Sequence, residues 1–197
     1  VSFLRTEENR HLVTFGIGVL PEFRRQHIAR RLLALIVEVP KREDRRLMIT
    51  STNGAVPAGE AFMRGLGAQM ARANHINQLD LQDLNRDLLR SWQERAGKRA
   101  SDFDLGLWEG DYPEEEIEEI AAMFEVGNRM PRGDLQVEDE HWTPQQIREF
   151  EKQERARGIQ RWTMYVREKG SRRIAGFTRV GWHPDRPQIL NQYGTAV

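Results

Sequence analysis

Residues 19–39, VLPEFRRQHIARRLLALIVEV, join the apolar end of a strand to an amphipathic helix through Pro21 and a basic turn, Arg24, Arg25, Gln26 and His27. Most helices open on Ser, Thr, Asp or Asn, whose side chains satisfy the orphan N–H groups of the first turn. A basic opening works against the helix dipole unless an anion sits there. Upstream, LVTFGIGV (12–19) alternates, with Val13, Phe15, Ile17 and Val19 on one face and Leu12, Thr14, Gly16 and Gly18 on the other, which predicts a strand. Downstream, Ile28, Leu32, Leu35, Ile36 and Val39 keep helical spacing, and Pro40 is expected to close the helix.

Outward from this unit the pattern repeats. RLMIT (46–50) reads as a short buried strand, and 57–66 as a second helix with Gly67 suited to the position after its C-cap. AQMARANHINQLDL (68–81) reads as a strand or hairpin. Leu84, Leu88, Trp92 and Ala96 form one stripe, so 82–103 is expected to be a helical connector ending in a linker. A new unit starts near Asp104. Asp111 with Pro113 and Glu114, and Thr143 with Pro144 and Gln146, both have the residues of a capped helix start, and Gly158 ends the second helix. Residues 161–168, 172–182 and 188–197 then read as three antiparallel strands, joined by KGS and HPDRP. The fold class is α/β (α+β), a mixed, mostly antiparallel central sheet with flanking helices.

Composition narrows the function. The 197 residues carry 30 basic and 30 acidic side chains, so no global electrostatic footprint points to nucleic acid or an anionic membrane. There is no cysteine, which excludes disulfides, thiolate metal ligands and a cysteine nucleophile, and fits a reducing cytoplasm. No apolar run is long enough for a membrane span, and no charged-then-apolar leader appears. The five histidines show no H-x-x-x-H pair, so no metal is expected. Residues 109–125 hold eight acidic and no basic side chains. Ile117, Ile120, Ala121 and Phe124 share one face there, so the glutamates read as the wet side of a helix. The five tryptophans read as core or interface residues. The first residue is Val, and ILNQYGTAV (189–197) reads as a strand with no turn signal after it, so a fragment is expected.

A glycine-bearing strand, a proline and a basic helix start with free amides fit a pyrophosphate cradle, and on spacing alone they fit equally a solvated basic turn beside a core helix. VLPEFRRQHIARRLL resembles the acyl-CoA signature of the GNAT superfamily of N-acyltransferases: Arg24 and Ala29 match its ends, and His27 stands where glycine is usual. TNGAVPAGEAFMRGLGA resembles the family's next segment through Asn53, Ala61, Phe62, Leu66 and Gly67. The resemblance covers residues 12 to about 80. It implies an acyl-CoA N-acyltransferase fold in which the backbone of Ile17, Gly18 and Val19 pairs with the pantetheine arm. The amides of Arg25, Gln26, His27, Ile28, Ala29 and Arg30 then hold the pyrophosphate, with Arg24 and Asn53 as further members of the site. Acetyl-CoA is the implied co-substrate.

The residues around NQYGTAV resemble the start of a second such signature. The resemblance therefore implies the back half of one module (1–81), a connector (82–103) and the front half of a second module (104–197), both incomplete, so a fragment of a tandem two-module member is expected. The implied activity is transfer of an acyl group to an amine of a small molecule or peptide by direct attack. Met63 stands where many members carry a tyrosine that protonates the departing thiolate. No carboxylate lies in LVTFGIGV or RLMIT to serve as base, so no catalytic residue is assigned; Thr14, Thr50 and Ser51 read as structural hydroxyls. A non-catalytic binding or assembly module of the same fold is the alternative reading.

Overall fold

A computed structural model describes residues 2–4 and 7–197 of the chain. They form two compact units: Val1–Ala73 with Arg132–Asp139, and Asn74–Pro131 with Glu140–Val197.

The first unit is a three-stranded sheet of β1 (Ser2–Leu4), β2 (Leu12–Phe15) and β3 (Leu47–Ile49), with α1 (Ile28–Arg42) crossing between β2 and β3. β1 runs antiparallel to β2, and β3 parallel to it with Val13 opposite Met48. β2 is shorter than the alternation predicts. Its pairings end at Phe15 with Ser2 and at Thr14 with Ile49, and Gly16 and Gly18 favour strand poorly, so 16–20 leaves the sheet as an irregular segment. Leu12 is buried along with Val13 and Phe15, so both faces of β2 are covered.

Pro40 does not close α1. It forgoes only the bond its missing N–H would give Ile36, its fixed φ suits a helix, and the last turn runs on to Arg42. The buried face is also rotated from the expected one: Ile36 and Pro40 are inside, while Leu32 and Leu35 face solvent. β3 is half-buried rather than buried. A short helix, α2 (Pro57–Arg64), ends two residues early at Gly65, and Gly67 takes the left-handed φ of +79° just beyond. Residues 68–81 form neither strand nor hairpin: Met70, Ile76, Leu79 and Leu81 are exposed and none of the described strands pairs with them. The segment 132–139 belongs to this unit through Asn9, whose side chain accepts from the Glu138 N–H at 2.8 Å while its own N–H donates to the Glu138 carboxylate at 2.6 Å.

The second unit begins with α3 (Arg86–Arg99), capped by the Asn85 side chain accepting from the Leu88 N–H at 2.9 Å. Leu88 and Trp92 of the predicted stripe are exposed. An antiparallel meander follows in the order β4 (Phe103–Glu109), β5 (Gln160–Glu168), β6 (Ile174–Trp182), β7 (Leu190–Ala196). Between β4 and β5 lie α4 (Ile117–Phe124) and α5 (Pro144–Ala156). Asp111 caps nothing. Pro113 instead starts a single 3-10 turn at Glu114–Glu116, and the Asp111 carboxylate pairs with Arg155. Thr143 and Gln146 form the expected reciprocal box: the Thr143 hydroxyl accepts from the Gln146 N–H at 3.2 Å, and the Gln146 side chain accepts from the Thr143 N–H at 2.8 Å. Gly158, at φ +72°, follows the end of α5 as expected.

The core of this unit is Trp108, Tyr112, Ile117, Ile120, Ala121 and Ile147. Gly106 makes room for it. A Cβ there would lie 2.1 Å from the Tyr165 ring, which crosses Gly106 to stack on Trp108 with centroids 3.9 Å apart.

Candidate functional site

In the first unit the predicted cradle is one continuous, exposed path. Leu20 leads into a 3-10 turn at Pro21–Phe23, and Arg24 follows with extended backbone. Arg25 (φ +63°) and His27 (φ +58°, ψ +12°) are both left-handed, and Gln26 between them is not. Backbone of this alternating sign brings successive N–H groups to one concave side, which suits an anion. It also explains why glycine would be favoured at position 27: an L side chain in the left-handed region costs roughly 1–2 kcal/mol, which glycine does not incur.

His27 occupies the N-cap position of α1 but makes no capping bond, and no acidic residue lies in the first turn. Among the described residues, none of the amides from Arg25 to Arg30 donates to a backbone carbonyl; the first that does is Arg31, to His27 at 3.1 Å. The guanidinium of Arg24 folds back, its Nε donating to the Val19 carbonyl at 3.1 Å, and Gln26 donates to the Glu22 carbonyl at 3.4 Å. A Cβ placed on Gly16 or Gly18 would meet nothing within 4 Å, so the segment beside Ile17 and Val19 is open on that side.

Asn53 is engaged locally. Its side chain accepts from the Ala55 N–H at 2.9 Å and its carbonyl from the Val56 N–H at 2.8 Å, shaping the turn before α2. Met63 and Phe62 are half-buried, and Thr14 and Ser51 are exposed. Thus Ile17 to Arg30 form one continuous segment running from the end of β2 into the start of α1, while Asn53 serves its own turn. No group of three or more metal-ligating side chains occurs among the described residues. No helix among them is long and apolar enough to cross a membrane.

Sequence reading missed a second concentration of chemistry, in the other unit. Arg161 and Glu151 are almost wholly buried. Glu151 accepts from the Tyr112 N–H at 2.7 Å, from Arg148 at 2.8 Å and from Arg161 at 3.3 Å, while Arg161 also donates to Glu154 at 2.8 Å. Burial raises the Glu154 carboxyl above its ordinary range, against the opposing pull of Arg161 and Arg179. The bond to Glu151 raises Arg148.

Further along β5, Arg167 is buried and clamped by Glu119 at 2.7 Å and Glu116 at 2.9 Å. Burial alone would lower its pKa, but these partners raise it. The glutamates of α4 are therefore not simply its wet side. A cleft of about 280 Å³ lies beside the Arg161, Glu151 and Glu154 cluster, lined in part by Glu109, Asp111, Glu154 and Arg155. The signal available in the sequence was the alternation Arg161, Thr163, Tyr165, Arg167 along β5, opposite the glutamates at 151 and 154 one turn apart on α5.

Two sheets with flanking helices, one of them holding the parallel β2–α1–β3 crossover, make a mixed α/β fold that matches the fold of an acyl-CoA N-acyltransferase, the GNAT fold. Among solved structures the chain is similar to a tandem GNAT protein from the clavulanic acid biosynthesis pathway, determined without AcCoA, at a TM-score of 0.62 and 17% identity. The match covers 95% of this chain and 56% of that one, so the chain spans a little over half the length of its structural neighbour. No family model matches the sequence, and no curated protein does.

Proposed function

We propose that the chain is part of a two-module, acyl-CoA-dependent N-acyltransferase acting on an amine by direct transfer. The observation that carries this reading is the start of α1: amides from Arg25 to Arg30 without carbonyl acceptors, left-handed backbone at Arg25 and His27, and no capping side chain. Oxygens of a CoA pyrophosphate would supply the missing acceptors, with Arg24, Arg25 and Arg30 adding charge. The segment Ile17 to Val19, which leaves the sheet with side-chain room at Gly16 and Gly18, would take the pantetheine arm. The acyl-CoA supplies an activated thioester: the amine forms the new C–N bond, the C–S bond breaks, and the proton lost by the amine is accounted for by the thiol. A thiolate of pKa roughly 8.5 leaves with little assistance, which accommodates Met63 in place of a tyrosine. Holding amine and thioester together contributes the proximity advantage without a covalent enzyme intermediate.

The second module is supported by β7. One extra residue on that strand, at Tyr193, breaks the register between Arg179–Gly194 and Val180–Gln192, a bulge within the stretch that resembles a second acyl-CoA signature. A non-catalytic binding module is favoured by one specific contact, the Val19 carbonyl already engaged by Arg24.

Calorimetric titration with acetyl-CoA tests the reading. Binding is expected, and no heat at millimolar ligand overturns it. His27→Gly is expected to tighten binding about 3- to 10-fold by removing a side chain from the cradle; weaker binding would make His27 a donor to the ligand instead. Because the chain has no cysteine, thiol release from acetyl-CoA in the presence of primary amines reads turnover without background. Binding without thiol release selects the non-catalytic reading.

A further inference from the structure

The helix α3 is 14 residues long and stands almost alone. Every residue in it except Ser91 is exposed, and no other element of its unit packs closely on it. An isolated helix of this length is marginal in water, and in proteins the packing of an apolar stripe is what holds it. Such a stripe is present: Leu88, Leu89, Trp92 and Ala96 fall on one helical face, and Trp92 is 53% exposed. Five basic and two acidic side chains make the helix positive, and Arg95 and Arg99 continue the stripe at its C-terminal end.

The same unit carries a surface that complements it. Register places Leu105, Leu107, Trp162, Met164, Val166 and Val180 on the sheet face opposite to the one where Arg161 and Arg167 meet the helices. Leu105 is 69% exposed, and Leu107 and Met164 are exposed with it. The charged side chains on this outer face of the four strands are two carboxylates, Glu109 and Glu168, at opposite ends of the β4–β5 pair. Lengths agree as well, since a 14-residue helix spans about 21 Å and the seven residues of β4 about 23 Å.

A copy does not cover its own face. α3 ends at Arg99, and the link Ala100–Asp102 to β4 is pinned in place: the Phe103 N–H donates to the Ala100 carbonyl at 3.1 Å, the Lys169 N–H to the Asp102 carbonyl at 2.8 Å and the Lys169 ammonium to the Ser101 carbonyl at 2.6 Å. We propose that α3 of one copy packs on the outer sheet face of a second copy, and the second copy's α3 on the first, in a two-fold dimer. Leu88, Leu89, Trp92 and Ala96 cover the apolar band on β4 and β5, and the basic end of the helix lies toward its carboxylate rim. Because the exchange is reciprocal, each copy has both patches covered and the assembly closes instead of growing into a filament. None of these residues belongs to the segment from Ile17 to Arg30, so the dimer stands independently of acyl-CoA binding.

Sedimentation velocity of the full chain should show a dimer within about 1–100 µM, weakening with added salt as the rim charges are screened. Trp92→Glu and Leu105→Lys should each weaken association about 30-fold or more, the scale of a central interface residue. Mixed in equal amounts, the two variants should dimerise again. The unaltered helix of one meets the unaltered sheet of the other, and in the second contact the introduced carboxylate meets the introduced ammonium. A wild-type chain that stays monomeric at about 100 µM overturns the proposal. So does a Leu105→Lys chain that dimerises like wild type, which would pair α3 with α3, or a Trp92→Glu chain that does so, which would pair face with face. A mixture of the variants that stays monomeric overturns it too. If either variant fails to fold by circular dichroism, amide exchange in the wild type decides: protection of the α3 amides that rises with protein concentration upholds the dimer, and protection independent of concentration refutes it.

Discussion

Replacing Glu151 by alanine should be among the most damaging single changes in the second unit. The carboxylate is 1% exposed and accepts three bonds, from the Tyr112 N–H, Arg148 and Arg161. Arg148 would keep Glu114 and the Tyr112 carbonyl at 2.9 Å, and Arg161 would keep Glu154 and the Gly110 carbonyl. The Tyr112 amide would keep nothing. One orphaned buried N–H costs about 1–3 kcal/mol, and a buried ion network stripped of one partner costs about 3–5 kcal/mol in all. Against a total stability of about 5–15 kcal/mol this is a large fraction. Urea denaturation followed by circular dichroism should show the midpoint falling by about 2 M for an m-value near 2 kcal/mol/M. The double variant Glu151→Ala, Arg161→Met should recover part of the loss, because it removes the guanidinium left with one carboxylate fewer. A loss below about 1 kcal/mol for Glu151→Ala, or a double variant less stable than the sum of the singles, would refute the claim that burial makes this network costly to break.

Glu154→Gln tests the sign of the raised carboxyl. A folded-state pKa above the reference of 4.5 means the native state binds the proton more tightly than the unfolded chain. Stability at this site is then greatest at low pH and is lost as pH rises from about 4.5 through the folded value. Wild type should therefore lose stability relative to Glu154→Gln between pH 4.5 and 7, and a difference that stays flat or reverses would contradict the assigned cause. Thr143→Ala removes the hydroxyl that receives the Gln146 N–H and should cost about 1 kcal/mol in thermal or urea unfolding, with Thr143→Ser restoring most of it.

What was legible in the sequence follows from the range of the interactions involved. The Thr143 cap, the Gly158 stop, the meander and the helix after the basic turn depend on neighbours a few residues away, and each lies where its local signal put it. Strand length depends on partners instead. LVTFGIGV alternates for eight residues, but only four find a ladder at all, and of these only Val13 and Thr14 find one on both sides. The cap offered by Asp111 lost to a remote competitor, since Arg155 on α5 takes its carboxylate. Residues 68–81 kept the apolar residues of a strand and found no edge to join.

The second unit shows a deeper limit. Alternation along β5 separates Trp162, Met164 and Val166 from Arg161, Thr163, Tyr165 and Arg167, but a period of two does not say which set faces the helices. Ordinary burial preference sends the apolar set inward. Here Arg161, Thr163 and Arg167 are buried, and Met164 is exposed together with Leu105 and Leu107 of β4. The inversion is sustained by side chains remote in sequence: Glu151 and Glu154 for Arg161, Glu116 and Glu119 for Arg167, and the Tyr112 hydroxyl at 3.1 Å for Thr163. Among the described residues of this sheet, the buried side-chain donors left without a partner are then Arg161 Nε and, on the neighbouring strand, Arg179 Nε and Nη1. The first unit breaks a local rule in a parallel way, opening a helix on left-handed arginine and histidine backbone with no cap. Local rules fail most often where a sequence serves something besides its own stability, and the uncapped start of α1 leaves amides without carbonyl acceptors, which is the arrangement the proposed acyl-CoA pyrophosphate would complete.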